Sequence, residues 1–309
     1  MQKIIITGAS GFIGYHLMHQ LKLSHQLFGL DLNQANSASA IRSQNLRNIR
    51  QLDINAMPSI QFKPDTIIHL AAKTGIAPST DQPLKYLKTN VQGTLNLLEY
   101  CKKNKINQFI YASSSSVYEP STEPLNENSA CEYQLSFYGK TKKMCEELVN
   151  YYCSKYKMKA IGLRFFTVYG SWTRPDMAAY KFMHAIKKGE PINLYNKGKV
   201  YRDFTHVSKV TGVIDALLNK WDDLLDGQHE ILNIGNGKPI SIEVYAETIA
   251  QAMKMKANYS SSDLPKNELL HTHCDNSKLD SFINYEKGLA FEEGIEEMVE
   301  WFRSDRYER

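Results

Sequence analysis

Residues 3–14 read KIIITGASGFIG. A run of isoleucines with no polar alternation suits a strand buried on both faces. It breaks at Thr7-Gly8, and glycines recur at 11 and 14 before an apolar, helix-like stretch begins. Each glycine has its own use in such a strand–turn–helix. Gly8 permits the tight turn, Gly11 lets the backbone approach a bound anion, and Gly14 lets helix and strand pack closely. The N–H groups of Phe12 and Ile13 then lie at the positive end of the helix, where an anion is held.

Similar apolar runs return at 26–31 (QLFGLD), 66–72 (TIIHLAA), 108–114 (QFIYASS) and 159–165 (KAIGLRF), separated by amphipathic stretches such as 84–103 and 137–156. That alternation predicts an α/β chain with a doubly wound parallel (Rossmann) sheet. After residue 166 the rhythm turns irregular, with turn signals at GSW, KKGEP, NKGK and NGKP, and the helical FEEGIEEMVEWFR follows at 291–303. The expected division is a dinucleotide-binding part, 1–166 with 203–232, and a smaller C-terminal α/β part, 167–202 with 233–309. In this context the glycines read as a dinucleotide loop, and Asp31 stands near the offset of about 20 residues where an acid meets a ribose. A carboxylate there repels a 2′-phosphate, so NAD is favoured over NADP; a helix cap is the other use of such an Asp. Further candidates to line the cofactor are Asn33, Leu70, Ala71 and Ala72, with Asp53 and Ile54 bordering the adenine unless Asp53 is an ordinary loop acid.

The 309 residues carry a net charge of +4 without a basic block, which gives nucleic-acid binding no support. No stretch reaches the ~18 apolar residues of a membrane span. Met1 leads into the first strand almost at once, so no signal peptide is expected there. Five cysteines, odd in number and without a C-x-x-C pair, suit reduced thiols in the cytoplasm, and no metal site is expected.

The segment QFIYASSSSVYE (108–119) precedes a helix-like stretch in which Tyr138 and Lys142, at i and i+4, share a face. A lysine and an oxidised nicotinamide beside a phenol both favour the phenolate, which can take a proton from a sugar hydroxyl. The spacing recurs at Tyr151/Lys155, roughly 220° around the same helix, and at Tyr195/Lys199, in a turn. Only Tyr138 follows a hydroxyl-rich strand end.

TGASGFIG (7–14), HLAA (69–72), ASSSSVYE (112–119) and YGKTK (138–142) together resemble the extended short-chain dehydrogenase/reductase family of nucleotide-sugar epimerases and dehydratases. The resemblance implies that Ser114 hydrogen-bonds the substrate oxygen that Tyr138 deprotonates, and that Lys142 also binds the nicotinamide ribose. Ser113 reads as a polar strand end solvating its own backbone. Ser115 and Ser116 stand where the 4,6-dehydratases carry an Asp and a Glu; serines cannot move protons at C5 and C6, so dehydration is disfavoured and these two are assigned to substrate contact.

Residues 164–177, RFFTVYGSWTRPDM, are similar to the UDP-glucuronate 4-epimerases of that family. The similarity implies that Thr167 and Arg174 hold the C6 carboxylate of the sugar. A guanidinium fork matches a carboxylate, with Trp172 and Pro175 excluding water. A neutral hexose would leave that arginine unpaired, a loss of roughly 2–5 kcal/mol. Oxidation at C4 makes a β-keto acid, so the same grip would guard against loss of CO2. The structural alternative is a pair between Arg174 and Asp176 or another surface acid. In PINLYNKGKVYRDFTHV (191–207) the resemblance implies that Tyr195 flanks the uracil and Arg202 meets the diphosphate; an edge strand and turn is the alternative. The chain departs from the family at Lys73–Ala77, which lacks an arginine, at Glu119, which replaces a glycine, and at 260–275, where Lys266 is the candidate substitute for a missing phosphate contact.

The expectation is an NAD-dependent 4-epimerase of a UDP-uronic acid, converting UDP-glucuronate to UDP-galacturonate, and a homodimer paired through 84–103 and 137–156. Three kinds of alternative stay open: 4-epimerisation of UDP-glucose, a UDP-N-acetylhexosamine or its uronate; UDP-glucuronate decarboxylation; and a non-catalytic dinucleotide sensor.

Overall fold

Ile4, Ile5 and Ile6 are each 0% exposed, although successive strand residues point to opposite faces. Their strand must therefore be covered on both sides. The computed structural model shows how, and it describes residues 1–32, 38–56, 60, 62–121, 124–265 and 268–304. Asn33 and Lys266 lie outside the described residues.

The chain runs β1 (Lys3–Thr7), α1 (Phe12–Leu21), β2 (Gln26–Asp31), α2 (Ala38–Gln44), β3 (Ile49–Gln51) and β4 (Thr66–His69). A helical run follows, α3 (Ile76–Asp81), α4 (Pro83–Tyr86), a π turn at Leu87–Gln92 and α5 (Gly93–Asn104), and then β5 (Gln108–Ser114), α6 (Phe137–Tyr156) and β6 (Lys159–Phe165). Next come β7 (Thr167–Tyr169), α7 (Ala178–Lys188), β8 (Pro191–Tyr195), β9 (Tyr201–His206), α8 (Val207–Leu217) and β10 (His229–Ile234). The described chain closes with β11 (Pro239–Ser241), α9 (Ile242–Met253), β12 (Asn258–Ser262), α10 (Ser277–Phe282) and α11 (Phe291–Arg303).

Seven strands form one parallel sheet in the order β10-β6-β5-β4-β1-β2-β3. The order reverses between β1 and β4, the switch point at which doubly wound sheets bind ligands. On one face, Ile4, Ile6, Ile68 and Ile110 meet Leu17 and Met18 of α1 and Val210 and Val213 of α8. On the other, Ile5, Ile67, Phe109 and Tyr111 meet Leu97 and Leu98 of α5 and Val149 and Tyr152 of α6. A second core joins α7, α9 and α11 to the small sheet β11-β9-β7, where Phe204 and Tyr245 stack at 3.9 Å between ring centroids. Among the described residues no helix is long and apolar enough to cross a membrane.

Strand pairing moves some expected boundaries. Residues 203–206, expected with the large sheet, belong to β9 and pair with β7 and β11. Leu279 and Ile283, expected in the smaller part, pack into the large-sheet core around α8 and β10. The run 66–72 leaves the sheet after His69, and the Asn90 side chain holds the loop that follows, accepting from the Lys73 N–H (2.7 Å) and donating to its carbonyl (3.0 Å). Asn90 does so from within the π turn.

A buried ion pair joins α6 to the sheet. Arg164 on β6 donates from Nε and Nη2 to the two carboxylate oxygens of Glu146, both at 2.8 Å, and Ser113 on β5 donates to the same carboxylate at 2.6 Å. The guanidinium also lies 4.7 Å from the centre of the Tyr118 ring. Burial opposes the charge on Glu146, yet Arg164 outweighs it and holds the carboxyl below its ordinary range. A depressed folded value means that this contribution is present above the unfolded value of about 4.3 and is lost as pH falls through the folded one. Glu146→Ala should cost about 3–5 kcal/mol in urea denaturation at neutral pH, because it strands a buried guanidinium. The double change Glu146→Leu with Arg164→Met should recover most of that loss.

Candidate active site at the switch point

The glycine loop leaves β1 at Gly8, whose φ of +70° and whose approach to Ala71 exclude a side chain; a Cβ there would lie 2.7 Å from the Ala71 nitrogen. A Cβ on Gly14 would collide with the Gly8 carbonyl oxygen, so helix and turn are in direct backbone contact. The N-cap of α1 is Gly11, and no side chain caps that helix. The N–H groups at Phe12 and Ile13 thus belong to a helix start that a pyrophosphate can occupy. Asp31, at the end of β2, accepts from the Ser10 N–H through Oδ2 (2.8 Å), which sets a carboxylate on the rim of the same loop. The half-buried Leu70, Ala71 and Ala72 form the wall facing it. These residues suit a dinucleotide.

Asp53 and Ile54 have local structural uses. Asp53 Oδ1 accepts from the backbone and side-chain nitrogens of Asn55, both at 2.9 Å, which closes a short turn. Ile54 points into the core beside Leu97 and fills the space over Gly93. A β-branched apolar side chain at that bend is worth more buried than facing a ligand.

Ser114, Tyr138 and Lys142 are brought to one end of the sheet. Ser114 ends β5, is buried, and accepts from the Ser116 N–H at 3.1 Å. The Ser136 hydroxyl caps α6 by accepting from Gly139 N–H at 3.0 Å. Gly139 itself rests on the Ser116 carbonyl with no room for a Cβ, which sets Tyr138 beside the serine turn. Lys142 is buried, donates to the Ala112 carbonyl at 2.8 Å, and has its Nζ 6.0 Å from the centre of the Tyr138 ring. Ser115 and Ser116 sit half-buried in the turn after β5.

Three neighbours escape a reading by motif. Ser79 accepts from the Tyr138 N–H at 3.0 Å, and Tyr86 sets its ring edge-on to that of Tyr138 at 6.3 Å while donating to the Gly75 carbonyl. His69, from HLAA, lies between the hydroxyls of Thr7 (2.7 Å) and Thr94 (3.1 Å). Burial, with help from the charge on Lys142, pushes its pKa down to about 3, so it serves as a neutral linker between β1 and α5. None of the three has a sequence spacing that marks it.

Thr167 opens β7 and, with Thr173, Met177 and Tyr245, lines a small cavity. Arg174 is already paired. Its Nε and Nη2 donate to the two oxygens of Asp176 at 2.9 and 2.7 Å. Burial opposes the guanidinium charge, but Asp176 outweighs it, and the Tyr138 and Tyr86 phenols add to the same direction, so the group is held above its ordinary value. A neutral sugar would therefore not strand this arginine, and the roughly 2–5 kcal/mol of discrimination expected from an unpaired guanidinium does not apply. Arg202 is likewise paired, with Glu268 at 3.2 Å, while burial pushes its guanidinium below the ordinary value. Tyr195 is exposed at the end of the two-stranded sheet β8–β12. The edge-strand reading thus describes this segment as it stands.

The model of the NAD dependent epimerase/dehydratase family matches residues 4–235. The chain belongs to that family. It is an NAD-dependent enzyme of the epimerase type, and NAD is the cofactor that the glycine loop and Asp31 suit. It is 30% identical, over 97% of its length and 96% of the relative's, to a probable UDP-glucuronate 4-epimerase of Rhizobium meliloti (strain 1021). A UDP-glucuronic acid 4-epimerase from Bacillus cereus, solved with UDP-glucuronic acid and NAD, superposes with a TM-score of 0.90 at 27% identity, covering 98% of this chain and 99% of that one. MoeE5, solved with NAD and either UDP-glucose or UDP-glucuronic acid, gives 0.87 at 29% identity with the same coverage.

In this epimerase-family chain the contact of Gly139 with Ser116 sets how closely α6 approaches the turn after β5. Gly139→Ala should push α6 away from the turn. A displacement of about 1 Å costs on the order of 100-fold in rate. Steady-state kinetics should show that fall in kcat, with NAD affinity falling much less, since the glycine loop is untouched and only Lys142, of the residues expected to hold NAD, moves with α6.

Proposed function

We propose that the chain is a UDP-uronate 4-epimerase, interconverting UDP-glucuronate and UDP-galacturonate. The observation that carries this reading is Arg174, a guanidinium fork that already holds a carboxylate bidentately, at 2.9 and 2.7 Å. The UDP-glucuronate 4-epimerases among the relatives and solved structures support it.

The residues divide the work as follows. Tyr138 takes the proton from the C4 hydroxyl, with Ser114 hydrogen-bonding that oxygen and the Lys142 ammonium stabilising the phenolate. When bound, NAD supplies a hydride acceptor that returns the hydride later. Gly11, Phe12 and Ile13 would hold its pyrophosphate, Asp31 its adenosine ribose, and Lys142 its nicotinamide ribose. Arg174 and Thr167 grip the carboxylate and keep its bond to C5 out of line with the C4 carbonyl, which restrains loss of CO2. Tyr195 and Arg202 fix the nucleotide, so that the 4-keto sugar alone turns over before it is reduced on its other face. For Arg202 this requires that the diphosphate take the place of Glu268.

One observation favours a second reading. Because Asp176 satisfies Arg174, the site can also accept UDP-glucose. A homodimer in the cytoplasm, paired through α4–α5 and α6, belongs to the same proposal; the exposed Leu84, Leu95 and Tyr151 on those helices support the pairing.

The test is a product assay. The NAD-loaded protein is given UDP-glucuronate or UDP-glucose, and the products are separated by anion exchange. UDP-galacturonate should form faster than UDP-galactose, and the opposite order rejects the substrate. Tyr138→Phe should lower turnover by at least about 100-fold with NAD binding intact; near-normal turnover would remove the mechanism.

A further inference from the structure

We propose that Asp176 is a specificity-determining residue, an internal carboxylate that occupies the Arg174 fork in place of the substrate's own and so sets how strongly a uronate is preferred over a neutral hexose. This rests on the reading of Arg174 as the carboxylate site. The two bonds to Asp176, at 2.9 and 2.7 Å, use Nε and one terminal nitrogen, the edge by which a guanidinium takes a carboxylate bidentately. The other edge, Nη1 with Nη2, is incomplete here because Nη2 also donates to the Met177 sulfur at 3.5 Å, so a uronate gains a full bidentate pair only by displacing Asp176.

The surroundings are built for exchange. Pro175 separates the two residues and fixes its own φ, so Asp176 reaches Arg174 across a stiff link. The Asp176 side chain is 56% exposed and that of Arg174 only 30%. A displaced carboxylate returns to water, whereas the arginine stays at the site. Lys181, one turn into α7, also bears on Asp176 with an attractive charge and can receive it when it swings out.

Two consequences have opposite signs. A uronate gains only the difference between its own pair with Arg174 and the internal one. A neutral hexose leaves the internal pair in place and loses nothing. Removing the Asp176 charge should therefore strengthen the uronate and weaken the hexose.

Affinities for UDP-glucuronate and UDP-glucose are measured by calorimetry on the NAD-loaded protein, alongside kcat/KM for each. They are taken for the wild type, Asp176→Asn, Asp176→Ser, Arg174→Met and the Arg174→Met/Asp176→Asn double variant. The uronate-to-hexose ratio should rise about three- to tenfold in both Asp176 variants, the range of a half-exposed bidentate pair, and should not rise in the Arg174→Met background. An unchanged or lower ratio in both Asp176 variants, while Arg174→Met lowers it, overturns the role of Asp176 and leaves the carboxylate site standing. A ratio unaffected by Arg174→Met overturns the carboxylate site, and this proposal with it.

Discussion

Helix α6 carries Tyr138, Lys142 and Glu146 at four-residue steps, so the three form one stripe that runs from the half-buried mouth of the site to its buried floor. The deepest member is an ion, and an ion at that depth is tolerable only with its partners in place. Arg164 and Ser113 supply them from two adjacent strands, β6 and β5. That arrangement sets the rotation of α6 and its height over the sheet, because a slip would break charge-assisted bonds where no water can replace them. The positions of Lys142 against the Ala112 carbonyl and of Gly139 against the Ser116 carbonyl follow from this anchor. The Ser113 hydroxyl, which reads in sequence as a self-solvating strand end, belongs to this floor.

What the sequence discloses depends on how local the physics is. The strands 3–7, 26–31, 108–114 and 159–165, and the helices 137–156 and 291–303, are legible to the residue, because burial on two faces or one writes a period into the chain. The short β3 is not, since Ile49-Arg50-Gln51 lies at a sheet edge with little burial to shape its composition. Nor is β12, whose NYSSS is exposed throughout and is ordered by its pairing with β8. The stretch 84–103 reads as one helix and proves to be wound unevenly around Asn90, because a π turn changes hydrogen bonding without changing amphipathicity. Among the candidate site residues, the glycine loop, Asp31, Ser114, Tyr138 and Lys142 stand out in the sequence because their spacing marks them. Asp53 and Ile54 do not, because a turn acid and a core isoleucine look the same in sequence as a ligand contact.

The arginines illustrate a further limit. Sequence can place a positive charge on a loop, yet the partner of that charge is a matter of three dimensions. Asp176 is visible two residues from Arg174, whereas Glu268 reaches Arg202 from 66 positions away. Both guanidiniums assigned to anionic parts of a substrate thus carry a carboxylate of their own. Each internal pair spares the free protein an unpaired buried charge.

Trp172, two residues before Arg174, is held at φ +60°, a left-handed conformation that costs a bulky residue about 1–3 kcal/mol. Its ring lies against Tyr15 at 5.0 Å and Trp301 at 5.7 Å, and its carbonyl accepts from Arg42, which also donates to the Ser10 carbonyl on the dinucleotide loop. Trp221, the third tryptophan, is sealed in the core beneath the large sheet. Two of three indoles therefore form a close pair at the base of the loop after β7, tied by one arginine to the glycine loop after β1. The chain carries a native optical gauge there, and any shift of that loop alters the emission of the pair without an added dye.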